Sequence, residues 1–279
     1  MRRVLVLAVV LAAGCAGNPP QAAPPASSST SVSSDATTTS ATTTTPPAPV
    51  WTVGAHPLPL RPDGFGQVLP TPPELVNRAL PTVDHLPPPG DASYVSTVAP
   101  VPADVLARST WQPNCPVAAG DLRYLTMSFW GFDGHAHTGE MIVNARFAEG
   151  VTQVFGRLYD AHFPLEEMRV VSPAELTAPP TGDGNNTTAF VCRPAVRQRR
   201  WSAHAFGLAI DVNTFCNPYV RGDLVLPELA SSYVDRANVR PGMIEPGDVV
   251  VSSFAAIGWS WGGDWTRPKD LQHFSSTGT

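Results

Sequence analysis

The sequence predicts an α+β fold: a single compact domain with a central antiparallel sheet flanked by helices, preceded by a long disordered linker. Three observations lead there. "LRYLTMSFWGFDGHAHTGEMIVNA" reads as two strands around an Asp133-Gly134 turn, the strongest short hairpin signal in the chain. Phe147, Val151, Val154, Phe155, Leu158 and Tyr159 recur at helical spacing, and this helix stops before Pro164. "EEMRVVS" then reads as a further strand. Strands and helices in mixed order, with a hairpin among them, argue against a regular βαβ array.

The elements follow from the N-terminus. "MRRVLVLAVVLAAGCAGNPP" has two arginines, an apolar run from Val4 to Ala13, and small residues ending in a cysteine, the pattern of a secretory signal. The apolar run is too short to span a bilayer permanently. Residues 1–14 are therefore expected to be a signal peptide, and the protein to be exported. Gly14-Cys15 after alanines resembles a bacterial lipobox, in which Cys15 would be acylated and become the mature N-terminus. Ala12 stands where such boxes usually carry leucine, so a plainly secreted protein is the alternative. A lasting tether to the outer face of the cytoplasmic membrane needs more than one acyl chain.

Residues 15–50 collapse in composition to Ser, Thr, Ala and Pro. Such a segment cannot bury enough apolar surface to offset its ordering entropy, and is expected to be a disordered spacer. Residues 51–102 are proline-rich but include "PPELVNRAL", so they read as an extended arm with one short helix, either packed along the domain or lengthening the stalk. Residues 103–279 are enough chain for a proper core.

Charge excludes one class of function. The chain carries a formal −5, and loss of Arg2 and Arg3 with the signal takes it to −7. The basic cluster Arg193 to Arg200 is short, so nucleic-acid binding is set aside. If Cys15 is acylated, Cys115, Cys192 and Cys216 allow one disulfide and one odd thiol, as suits an exported protein. Spacing does not choose the pair: Cys115 with Cys192 and Cys192 with Cys216 are both open. Without a CxxC pair, a structural zinc knuckle is not expected.

The chemistry concentrates in "WSAHAFGLAIDVN" and "GWSWGGDWTRPKDLQHFSS". His204 and Asp211 are polar residues in a run otherwise fit for burial, and His273 follows in the second stretch, with Asp270 three residues before it. Two neutral imidazoles and a carboxylate are a three-ligand set that leaves zinc an open fourth position for water. "LAIDVN" alternates like a strand, which would project Asp211 from one face, while Gly207 lets the chain turn back toward His204. His135 and His137 in "GHAHTGE" form a rival HxH pair, taken here as hairpin residues near the cleft rim. Trp259, Trp261 and Trp265 suit a substrate groove or core packing equally.

Ser202, His204, Gly207, Ala209 and Asp211 in "SAHAFGLAID", followed by "DLQHF", resemble the signature of the zinc D-alanyl-D-alanine carboxypeptidases, the VanY-like M15 peptidases. "CPVAAGDLRYL", "GFDGHAHTGEM", "NNTTAFVCRP", "NPYV" and "GWSWGGDW" occur in the order such enzymes show, so the resemblance covers about Pro113 to Ser275. It implies a Zn2+ ion held by His204, Asp211 and His273, making 103–279 a zinc peptidase domain. Asp270 would be the general base, where many relatives carry glutamate. Arg193, in "CRP", would hold or polarise the substrate carbonyl, with Arg197, Arg199 and Arg200 as rivals for that role. Ser202 would contact the substrate or support the first ligand. The implied partners are peptidoglycan stem peptides outside the cytoplasm, cut at the D-alanyl-D-alanine bond. The alternatives are an L-alanyl-D-glutamate endopeptidase and a non-catalytic, zinc-stabilised cell-wall-binding lipoprotein. Oligomeric state is left open.

Overall fold

Among residues 51–278, which the computed structural model describes, the strands are β1 (Ser96–Pro100), β2 (Leu122–Trp130), β3 (Ala136–Asn144), β4 (Glu167–Met168), β5 (Asn186–Thr187) and β6 (Ala209–Asp211). Nearer the C-terminus come β7 (Tyr219–Arg221), β8 (Leu224–Leu226), β9 (Ser260–Trp261), β10 (Lys269–Asp270) and β11 (His273–Ser275). The α-helices are α1 (Pro73–Val76), α2 (Ala103–Arg108), α3 (Ala148–Asp160) and α4 (Val249–Ala256). The expectations for the signal, Cys15 and the spacer concern residues outside those described. No described helix is long and apolar enough to cross a membrane.

The class is α+β, with the predicted hairpin at its centre. β2 and β3 pair antiparallel from Leu122 opposite Asn144 to Trp130 opposite Ala136, and the turn between them contains Gly134 at φ +75°. Alternation then sorts the side chains. Leu125, Met127, Phe129, Met141 and Val143 enter the main core, whereas Leu122 and Ile142 enter a smaller one with Val105, Val170 and Phe190. Against the first face lies α3, whose Val151, Val154, Phe155 and Leu158 are buried at the spacing that makes one apolar stripe. The helix α4 adds Val250 and Phe254, and Asp248 caps it by accepting from the Val251 amide at 2.9 Å.

One central sheet is the expectation; the antiparallel strands are instead divided among three small sheets, in orders β1-β2-β3, β10-β7-β8 and β6-β11-β9. The physical reason lies in the C-terminal half, where strands of two or three residues are separated by Pro218, Pro227 and Pro268, none of which can donate to a ladder. "EEMRVVS" likewise yields only the two residues of β4, which pair parallel with β5.

Residues 51–102 pack along the domain. β1 joins β2 as an edge strand, and Leu75 of α1 is fully buried with Phe215, Val225 and Tyr233. Arg78 is buried too, donating to Glu166 at 2.5 and 2.6 Å and lying over the Phe215 ring. Near the start of the arm, the Trp51 indole donates to Asp183 at 2.9 Å. A disulfide joins Cys115 to Cys192, and Cys216 is a buried free thiol whose pKa burial pushes up to about 12.

Candidate metal centre and its cleft

Each candidate ligand is set by a local feature of the backbone. Ser202 caps the 3-10 turn Ala203–Phe206, its hydroxyl oxygen accepting from the His204 amide at 3.3 Å. Gly207 ends that turn in the left-handed region at φ +66°. A Cβ there would also lie 2.6 Å from the Asn144 backbone nitrogen, so the turn can nestle against β3 only with glycine. The chain then enters β6, which pairs antiparallel with β11 so that Asp211 stands directly opposite His273. Gly262 makes room for that arrangement: a Cβ on it would lie 2.6 Å from the Asp270 carbonyl oxygen and 3.3 Å from the His273 Cβ.

The three side chains converge on one point. His204 Nε2 lies 3.2 Å from His273 Nδ1 and 3.2 Å from Asp211 Oδ1, and His273 Nδ1 lies 3.0 Å from the same oxygen. Nitrogen and oxygen ligands of a tetrahedral zinc, each about 2.0–2.1 Å from the ion, stand roughly 3.3 Å apart. The triangle found here has that size. The tautomer also fits, because His204 Nδ1 is 2.6 Å from the Ala189 carbonyl oxygen, which can only accept. The ring proton therefore sits on Nδ1, and Nε2 of neutral His204 offers its lone pair. A proton on His273 Nδ1 answers one or two of these contacts; a divalent cation answers all three. The donor set thus fits a metal. Among the described residues this is the one group of three that can hold an ion.

Electrostatics separate the two carboxylates of the site. Burial works against ionised Asp211, but His204 and His273 both hydrogen-bond to it and hold its pKa well below the usual carboxylate range. Burial raises the pKa of Asp270 and the Asp211 charge adds to this, while the His273 charge, a hydrogen bond from the Gln272 side chain and the Arg193 charge pull the other way; the result is about 7. Asp270 Oδ1 is buried with no hydrogen-bond partner among the described residues, a costly state for a carboxylate oxygen outside a reactive site. One oxyacid tuned low and its neighbour tuned high is the division of labour between a ligand and a proton carrier.

Both carboxylates open onto a cleft of about 600 Å³ that is also lined by Arg193, Arg200, Ser202, Trp265 and Tyr219. The structure therefore brings together all six site residues expected within the folded region. Of the rival arginines, Arg200 also lines the cleft, whereas Arg197 is ion-paired with Asp63. His135 and His137 are not on the cleft rim. His137 is buried between Asp84, 2.8 Å from Nδ1, and Asp133, 3.2 Å from Nε2, so its two nitrogens serve opposite sides of the ring. The tryptophans divide: Trp259 and Trp261 are core, and Trp265 faces the site with its ring 5.4 Å from that of His273. Reading by motif missed Trp201, Tyr219 and Glu228 in the cleft lining. Tyr219 stands in the quoted "NPYV" at the start of β7 and could have been singled out there, but nothing in "LPEL" marks Glu228.

Residues 195–276 match a family model described as D-alanyl-D-alanine carboxypeptidase. The matched span holds His204, Asp211, Asp270 and His273, and leaves out Arg193 and the arm. It supports a peptidase. No curated protein and no solved structure matches the chain.

Proposed function

From a chain whose residues 195–276 carry the features of the VanY-like M15 peptidases, we propose a zinc-dependent peptidase that removes the terminal D-alanine from peptidoglycan stem peptides. The observation that carries this reading is the convergence of His204, Asp211 and His273 within 3.2 Å of one another, beside a second carboxylate kept near neutrality in pKa.

His204, Asp211 and His273 would hold the Zn2+, which when bound supplies Lewis acidity toward water and the substrate carbonyl. The remaining work belongs to the chain. Asp270 takes the proton of the attacking water and hands it to the departing amine, the task for which a carboxylate poised near the working pH is suited. A cation nearby lowers that pKa, so Asp270 is ionised and ready as base once the site is loaded. Arg193 polarises the scissile carbonyl and, with Arg200 on the same cleft, offers a guanidinium fork for the terminal carboxylate that defines a carboxypeptidase substrate. Ser202 holds the His204 turn through its oxygen and keeps its hydroxyl proton for the substrate. Trp265 and Tyr219 narrow the cleft and limit water at the reacting atoms.

Peptidoglycan lies outside the cytoplasm, and the signal-like residues 1–14 with Cys15 support export and a lipid anchor there. The experiment is to incubate the mature protein with a pentapeptide stem and weigh the products with and without a chelator. Chelator-sensitive loss of one D-alanine supports the proposal. A cut after L-alanine would instead make the protein an endopeptidase, and full metal loading with no product would leave it a wall-binding protein.

A further inference from the structure

We propose that the arm loop Leu58–Gly66, packed behind residues that line the cleft, braces the flap carrying Arg193, and that Asp63 is a positioning residue for that flap. Only the kinetic part of the test rests on the peptidase reading.

The flap is a small hairpin. Pro194 and Trp201 form an antiparallel bridge, Ala195 donates to the Arg200 carbonyl at 3.0 Å, and Ser202 donates to that of Arg193 at 3.2 Å. Its base therefore sets Arg193 and Ser202 side by side on the cleft, next to Cys192, which the disulfide fixes to Cys115. The tip is different. Arg197 turns there with φ +57°, and Arg197 to Arg200 are exposed, with half-buried Val196 beside them as an apolar side chain.

What holds the tip comes from the arm. Asp63 forms an ion pair with Arg197, whose guanidinium also lies over the Phe65 ring at 5.6 Å. Asp63 is itself oriented by Arg61 at 3.3 Å, and Arg61 reaches Asp223 at 3.0 Å. The arm segment is a tight loop, with Arg61 and Phe65 joined by a 2.7 Å backbone hydrogen bond and Leu60 bridged to Gly66. Its other end rests on a second part of the cleft lining, where the Gly66 amide donates to buried Glu228 at 2.7 Å. Packing there leaves no slack: a Cβ on Gly66 would lie 2.9 Å from that Glu228 oxygen, and one on Gly182 would lie 2.7 Å from Leu58 Cδ1. Glu228 and Gly182 both line the cleft. One loop thus ties the flap tip to Glu228 and so holds two parts of the cleft lining in register.

An exposed ion pair contributes little to global stability, so its effect should appear in flap order and substrate binding. The test uses the full metal-loaded chain with Asp63→Asn, Arg197→Gln and the double variant. Four quantities are read: tryptic cleavage after Arg199 and Arg200 under native conditions, KM and kcat on a stem peptide, and zinc stoichiometry. Asp63→Asn should raise flap cleavage and KM by up to about fivefold, leave kcat within about twofold, and leave zinc stoichiometry unchanged. Asp63→Glu should restore both, and the double variant should be no worse than either single one. Unchanged flap cleavage in Asp63→Asn, or additive effects in the double variant, would overturn the proposal. If the wild type hydrolyses nothing, the peptidase reading fails, and flap cleavage alone decides this one.

Discussion

Asp270→Asn should make the metal-free protein more stable at neutral pH while abolishing its activity. The wild-type carboxyl titrates at about 7 in the fold, against 3.8 in the unfolded chain. Between those values the folded state holds a proton that the unfolded state has released, so stability falls as pH rises through this window. A shift of about 3 units at about 1.4 kcal/mol each gives a destabilisation of at most about 4 kcal/mol above pH 7. Asparagine keeps the shape and has no charge to desolvate. Thermal unfolding of chelator-treated protein from pH 4 to pH 8 measures the effect. At 2–4 °C per kcal/mol for a domain of this size, Asp270→Asn should melt higher than wild type by roughly 5–15 °C at pH 7.5 and by almost nothing at pH 4. With zinc present, the same substitution should reduce turnover by at least about 10²-fold. Parallel melting curves for the two proteins across the pH range would refute the reasoning, because Asp270 would then not be a desolvated carboxyl.

Three further outcomes follow from the fold. Replacing Cys115 and Cys192 with serine opens a cross-link between residues 77 apart, and chain entropy sets the loss at about 4–5 kcal/mol, readable by denaturant unfolding. Arg78→Met should cost about 3–5 kcal/mol by leaving Glu166 charged and buried without its partner, whereas Arg78→Met with Glu166→Leu should recover most of that loss. Gly207→Ala should lower stability by at least about 1 kcal/mol and weaken metal binding, because the left-handed turn and the contact with Asn144 both resist a Cβ; equal zinc affinity in the variant would argue against that turn as the support of His204.

Much of the site was legible because its residues sit in two short, chemically unusual stretches. His204 and Asp211 are conspicuous in a small, apolar run, and His273 in the last ordered stretch. What could not be read is the register that places His273 opposite Asp211, since a pairing 62 residues apart leaves no local periodicity. The long elements β2, β3 and α3 were visible for the converse reason: nine to thirteen residues are enough to show a period of two or of 3.6. Strands of two or three residues show none, which is why one antiparallel sheet was expected where the described residues form three. The HxH pair belongs to the hairpin as read, but not to the cleft rim, because spacing reports which face a histidine takes and not what waits there; for His137 it is Asp84 and Asp133. The arm's contacts, such as Asp63 with Arg197 across 134 residues, carry no sequence signal at all.

The most direct test of the account is a zinc titration of the purified mature protein, with elemental analysis of the loaded form and of His204→Ala and Asp211→Asn. One tightly bound ion per chain, lost or greatly weakened in both variants, is the predicted result. A wild-type protein that takes up no stoichiometric metal, or variants that bind it as well as wild type, would contradict the claim that these three side chains form a metal centre.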